Sequence, residues 1–323
     1  MLLLASKADI THGIIRFAGM PKHIFRSAHQ FGLQEFSRRV RVNIKIVATF
    51  ENAREYLTHA KINGADANAL WTKHMIEPFW GDIAVYAPFD QSFKQPPRIT
   101  EFGQLEKQLL ILSELDVADL KSKFTLVTNA LPSGDDDPML VALYPLCNSN
   151  KTVKEWQNGI VGASVFGNMV ISINPLADDW QKWIPFVFAH EYHHNIWGHN
   201  WYVMRGGKDL DGSFLQYMIT EGQADLFAMS LFPDLTPQWN QPFNTDKEEM
   251  LWEQIKPILY STDHKIHEAY MFGDKEKGLP WCMGYSFGRM IVTDYLQKNA
   301  MPFSQLLNIP AKQIFEGSRF YNS

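Results

Sequence analysis

Phe186-Val187-Phe188-Ala189-His190-Glu191-Tyr192-His193-His194-Asn195-Ile196-Trp197 is the stretch on which the reading of this 323-residue chain turns. Two histidines stand four residues apart, with a glutamate directly after the first. On an α-helix that spacing separates side chains by about 40° of rotation and about 6 Å of rise. His190 and His194 therefore project from one face, close enough to share one metal ion. Glu191 falls between them in angle on a neighbouring ridge. A carboxylate there reaches a water on the metal without displacing it, as a general base beside a Lewis acid must.

In a chain with 11 histidines the bare H-E-x-x-H pattern is only a hypothesis. Its surroundings strengthen it. Trp183 to Ala189 on one side and Ile196-Trp197 on the other are apolar nearly all round, the signature of a helix buried inside a protein. Three histidines and a glutamate in such a helix are costly to desolvate without partners or a metal. The bland alternative is a set of hydrogen-bonded core or cleft histidines.

A catalytic zinc site needs a third protein ligand and an open fourth position. A histidine six residues after the second ligand, with a glycine three after it, would give the metzincin arrangement. Trp197 and Asn200 occupy those places, and Gly198 and His199 are each displaced by one. His199 as ligand would require the helix to end immediately after His194. A glutamate on a following helix is the preferred solution, and Thr220-Glu221-Gly222-Gln223-Ala224-Asp225 supplies it. Glu221 and Asp225, again four apart, share one helical face. Glu221 is expected to bind the metal, while Asp225 accepts the free ring N–H of a ligand histidine and fixes its tautomer.

His190-Glu191-x-x-His194 followed by Glu221-x-x-x-Asp225 resembles the gluzincin metallopeptidases, the group that includes thermolysin. With the intervening residues, the two motifs are similar to a family of predicted zinc-dependent proteases that carries a domain-of-unknown-function label. The resemblance covers roughly residues 120 to 300. It implies one zinc ion per chain and a zincin-like α+β fold, a small mixed sheet over the central helix with a mostly helical carboxy-terminal half. It implies no particular substrate.

Composition sets the outer limits. Hydrophobic residues make up 46% and charged residues 20%, ordinary for a globular chain. A net charge of −5 argues against a nucleic-acid-binding surface. The two cysteines, Cys147 and Cys282, fit neither a metal cluster nor a disulfide framework. The first nine residues hold too short an apolar run for a signal sequence, and no window approaches the length of a membrane span. A cytoplasmic location is the default expectation, and the oligomeric state is open.

In chain order, residues 1–98 read as a mixed, mostly helical region and 99–323 as the peptidase domain. Val42 to Val47 alternates like a strand, Glu51 to Ile62 reads as a helix, and Trp71 to Trp80 is aromatic-rich, with core packing the plain explanation. A helical pattern runs from Ile99 to Val117. Phe124-Thr125-Leu126-Val127 is expected to be a strand ending in an acidic turn at Asp135-Asp136-Asp137, whose spacing does not suit an EF-hand. Val141 to Tyr144 reads as the next strand. Gly162 to Phe166 and Met169 to Ile173 then flank Gly167-Asn168, a hairpin-turn pair. The resemblance implies that the edge strand of the sheet lies along the cleft, so Ala163, Ser164, Val165 and Phe166 are the expected substrate-binding strand, pairing with an extended peptide. A wholly structural hairpin is the competing reading.

Asp178 or Asp179 is expected to cap the helix carrying His190, with Pro185 in its first turn. Phe214 to Leu231 reads as the helix bearing Glu221, and Gly222 suggests close packing. Helices follow over Glu248–Tyr260, His264–Tyr270 and about Trp281 to Gln297. Tyr285, in a Gly-Tyr pair that the resembling family shares, is the expected donor to the oxyanion, ahead of His264 and His267. The expected activity is hydrolysis of peptide bonds, with Glu191 as general base. A non-catalytic zinc-stabilised binding protein and a zinc hydrolase of another acyl substrate are the alternatives.

Overall fold

Four short strands form one mixed sheet among the residues described by the computed structural model, 42–322 apart from 63, 134–137, 147–152, 154, 156 and 241–242. β1 (Ile44–Ala48) is parallel to β2 (Met139–Pro145), and β2 is parallel to β4 (Asn168–Ile173). β3 (Ile160–Val165) pairs antiparallel with β4, giving the order β1-β2-β4-β3. The sheet spans the boundary expected near residue 98, because β1 precedes it and its partners follow it. Every residue of β4 is buried, so both faces of the sheet are covered, which suits its continuous apolar run. The rest of the chain is mostly helical.

Helix α1 (Phe50–Ala60) packs against β2 and α5 (Val117–Ala130) against β1, while α6 (Trp180–Gly198) lies on β3 and β4. Short helices α2 (Ala67–Trp71) and α3 (Glu77–Ile83) follow α1, and α4 (Phe102–Leu112) precedes α5. The strand expected at Phe124 to Val127 is part of α5 instead. Asp116 caps that helix through Ala118 N and Asp119 N, and Leu120, Phe124, Val127 and Thr128 are buried with helical spacing while Leu126 faces out. Four residues are too few to distinguish the two periods.

The hairpin turn is displaced by one residue from the expected Gly167-Asn168. It is Phe166-Gly167, both with positive φ (45° and 95°), the conformation that a two-residue hairpin loop prefers. Phe166 therefore lies in the turn, while Ala163, Ser164 and Val165 remain in the strand. Asn168 is excluded from the turn because its buried amide is committed elsewhere. It accepts from Leu140 N (2.9 Å) and donates to the carbonyls of Asp82 and Ile83 (3.1 Å each).

Helix α6 also starts differently from expectation. Asp179 occupies its N-cap with φ 56° but makes no side-chain cap, and Pro185 lies in the second turn rather than the first. The helix continues past His194 to Gly198 and then into a π-helical turn, His199–Met204. Helix α7 (Phe214–Leu231) has the expected limits, with Ser213 Oγ accepting from Gln216 N (3.1 Å). The remaining helices are α8 (Thr245–Ile255), α9 (His264–Phe272), α10 (Met283–Lys298), α11 (Phe303–Leu306) and α12 (Ala311–Glu316). No helix among the described residues is long and apolar enough to cross a membrane. The acidic turn at Asp135-Asp136-Asp137 and Cys147 lie outside the described residues.

Helices α7 and α10 meet backbone to backbone at Gly222 and Gly288. A Cβ on Gly222 would fall inside the backbone of Gly288, and one on Gly288 would overlap the carbonyl of Met218. In an open helix alanine is favoured over glycine by about 1 kcal/mol. Here Gly222→Ala is expected to destabilise by about 1–3 kcal/mol, because two backbones must separate. Urea titration reads the sign directly.

Candidate metal centre

Helix α6 uses two faces at once. Val187, Glu191 and Asn195, spaced by four, lie against β3. The strand can approach because residue 162 is glycine, where a Cβ would stand 2.5 Å from Glu191 Cγ and 2.6 Å from Val187 Cγ1. Ser164 N donates to Glu191 Oε2 (2.9 Å), and one turn on, Asn195 Oδ1 accepts from Gly167 N (3.0 Å) at the hairpin tip. Asn195 Nδ2 also donates to Asn168 O (3.3 Å). Asn195 has a role that the sequence left unassigned, although its position four residues after Glu191 was visible.

The other face carries His190 and His194 toward α7. His190 contacts both Glu221 and Asp225 whereas His194 contacts Glu221, so the two helices run antiparallel. His190 Nε2, His194 Nε2 and Glu221 Oε2 form a triangle with sides of 3.0, 3.2 and 3.3 Å. These are the atoms among the described residues that are placed to hold a metal ion. Tetrahedral ligands at about 2.0 Å from a zinc ion stand about 3.3 Å apart, so the triangle fits that shell.

Charge supports the same fit. Burial pushes the pKa of Glu221 up, but nearby positive charge, to which His194 and His190 contribute, more than offsets this and holds it well below the usual range. Burial opposes charge on His190, yet the hydrogen bonds and charges of Asp225 and Glu221 push its pKa up to about 9. Burial holds His194 below its ordinary value. The pocket is thus organised around stabilising positive charge. A single shared proton satisfies three mutually facing acceptors less completely than a cation does.

Asp225 stands behind His190. Fully buried, it accepts from His190 Nδ1 (2.9 Å), Trp239 Nε1 (3.3 Å) and Asn240 Nδ2 (2.7 Å). Asn240 Oδ1 in turn accepts from Arg289 Nε (2.7 Å) on α10. With Nδ1–H committed to the carboxylate, the proton on His190 Nε2 is the one a metal ion would displace, and that lone pair would then face the triangle. Trp239, Asn240 and Arg289 escaped the sequence reading because nothing local marks them. They converge only through the crossing of α7 with α10. His193 stays apart, buried against Phe227 (5.9 Å between rings) with its pKa pushed well below the ordinary value by burial. It is a neutral core histidine.

Tyr285 is fully buried near Glu221 and Asp225, with the Tyr217 phenol close enough for the two to affect each other electrostatically. Tyr217 is half-buried and close enough to both Glu191 and Glu221 to be affected by their charges. Burial raises the pKa of both phenols, which remain protonated donors. Tyr217 sits four residues before Glu221, a spacing legible in the sequence. The runners-up to Tyr285 are elsewhere engaged: His267 Nε2 faces the carbonyl of Ser261 (2.7 Å), and His264 is exposed at the start of α9.

Residues 118–316, well over half of the chain, match a family described as predicted Zn-dependent proteases (DUF2268). The chain belongs to this family. The matched span contains the His190–His194–Glu221 triangle, Glu191 and Asp225. An uncharacterised protein of Bacillus subtilis (strain 168), YjfC, is 27% identical over 168 residues, covering 49% of this chain and 54% of its own length. The chain therefore aligns with about half the length of that relative. No solved structure matches it.

Replacing Asp225 by alanine strands three buried donors and removes the counter-charge from His190. The expected cost is about 3–5 kcal/mol of folding stability, checked by chemical denaturation of the metal-free protein. Asp225→Asn, which keeps one acceptor oxygen, is expected to lose less.

Proposed function

We propose that the chain is a zinc-dependent peptidase of the gluzincin type, with a zincin-like fold, in which His190, His194 and Glu221 hold the ion. The observation that carries this reading is the placement of Glu191. It leaves the same turn of helix as His190, faces the edge strand rather than α7, and is held there by Ser164 N. A purely structural metal site closes around its ion and has no use for a carboxylate set to one side.

When bound, zinc supplies Lewis acidity, which polarises a scissile carbonyl and makes water acidic enough to lose a proton near neutral pH. Glu191 accepts that proton and passes it to the leaving amine. Burial pushes its pKa up, but nearby positive charge that includes His194 and His190 keeps it below the ordinary range, so it begins as an acceptor. Asp225 orients His190. The edge strand β3 aligns an extended peptide through Ser164, the residue of the Ala163–Val165 segment whose backbone faces outward and whose carbonyl oxygen can accept a second hydrogen bond. Tyr217, close enough to Glu191 to feel its charge, donates to the oxygen on which charge develops, with Tyr285 as its buried neighbour. The donor role expected of Tyr285 thereby passes to its neighbour Tyr217.

Glu191→Gln is expected to retain one zinc per chain and to lose peptide cleavage by at least about a hundredfold. Metal analysis beside cleavage of a mixed peptide library tests both halves. Full activity in Glu191→Gln would remove the general base, whereas one zinc with no cleavage in the parent would favour a zinc-stabilised binding protein. Glu221→Ala is expected to lose zinc itself, and unchanged zinc content would remove Glu221 from the ligand set. Tyr217→Phe is expected to lower kcat by about a hundredfold, with a smaller change in KM. An equal or larger loss of kcat in Tyr285→Phe would reverse their order.

A further inference from the structure

Lys94 lies before the family-matched span, at the end of a 3-10 turn, Ser92–Lys94, within a proline-bearing stretch. Its ammonium crosses to β3 and donates to Ser164 O (2.7 Å). The rings of Phe93 and Phe166 lie 5.6 and 5.9 Å from it, within reach of a cation–π attraction. Among the described residues it has no carboxylate within ion-pairing distance, and Glu191 acts on it only from further away. Burial lowers its pKa to about 8, with the charge of Glu191 opposing the fall.

The register of the hairpin gives this contact its meaning. Next to a two-residue turn, Val165 and Asn168 form the hydrogen-bonded pair, and the pattern alternates along the ladder. Gly162 and Ser164 therefore point their backbone groups away from β4, along the outer edge. Ser164 N goes to Glu191 and Ser164 O to Lys94. A single edge residue thus carries the proposed general base on one side and an unpaired ammonium on the other. Three N–H donors on that ammonium meet one carbonyl, which leaves capacity for a further acceptor.

We propose that Lys94 is a specificity residue, whose ammonium takes a carboxylate of a peptide lying along β3. This deepens and rests on the peptidase reading above. The carboxylate comes from an acidic side chain or from a free carboxy terminus. A plain clamp would also explain the bond to Ser164 O. It leaves a partly desolvated ammonium whose counter-charge, Glu191, stands beyond ion-pairing distance, a state that proteins ordinarily avoid unless a partner arrives.

The test measures binding by calorimetry to zinc-loaded Glu191→Gln protein, which holds peptides without turnover. The probes are N-acetylated hexa-alanine peptides with one Glu or one Gln at each position in turn, either amidated or with a free carboxy terminus. At one or more positions the Glu peptide is expected to bind about tenfold more tightly than its Gln counterpart; if the free terminus is the ligand, the same gain separates free from amidated peptides. Lys94→Gln keeps a donor for Ser164 O but removes the charge, and is expected to bring the ratio to about one. Lys94→Arg is expected to retain the preference. Equal or undetectable binding of all probes overturns the proposal, as does a preference that survives Lys94→Gln. A uniform weakening without change in the ratio assigns Lys94 to clamping and also overturns it. Cleavage of the same peptides by the parent protein is a separate readout. Its failure counts against the peptidase reading and leaves the affinity ratio to decide the role of Lys94.

Discussion

The bond between the Asp225 carboxylate and the His190 imidazole is the constraint on which the centre depends. Two carboxylates and two imidazoles lie in the seam between α6 and α7, where water does not screen them. Each would be costly there alone. Together they are tolerable because every ligand atom is aimed: Asp225 fixes His190, Asn240 and Trp239 fix Asp225, and Arg289 fixes Asn240. The chain of contacts leaves the seam through α10, which is why the backbone crossing at Gly222 and Gly288 matters to residues that neither glycine touches.

Much of this centre was legible because it is local. Helical spacing alone placed His190 with His194 and Glu221 with Asp225, and the antiparallel return of α7 then brought the pairs together. The central strands were legible for a similar reason, since Val141 to Tyr144 is a continuous apolar run and Met169 to Ile173 is apolar except at Ser172. Phe124 to Val127 failed because four residues hold too little periodicity to separate a strand from one turn of helix. The turn failed by a single position: Gly167-Asn168 has the right composition, but the Asn168 amide is tied to Leu140, Asp82 and Ile83. That competition is tertiary and leaves no trace in neighbouring sequence. The same holds for Trp239, Asn240, Arg289 and Lys94, each brought in from a distant segment.

The family assignment and the geometry divide the molecule in an informative way. The proposed metal ligands and Glu191 all fall within residues 118–316. β1 and the 3-10 turn carrying Lys94 fall outside that span, yet they complete the sheet at one end and cover the outer edge of β3 at the other. The early part of the chain is thus structurally continuous with the centre, through β1 at the far end of the sheet and through Lys94 at β3 itself.

Helix α6 reaches β3 and α7 from adjacent residues, and on the peptidase reading this makes the separation between ion and base a covalent quantity. His190 and Glu191 are joined by one peptide bond in a rigid turn, so drift of the sheet relative to α7 alters what the cleft admits before it alters that spacing. The fold therefore separates two kinds of inheritance. The reactive distance is copied with the helix, while selectivity is written in the loops and edges around it and is free to diverge.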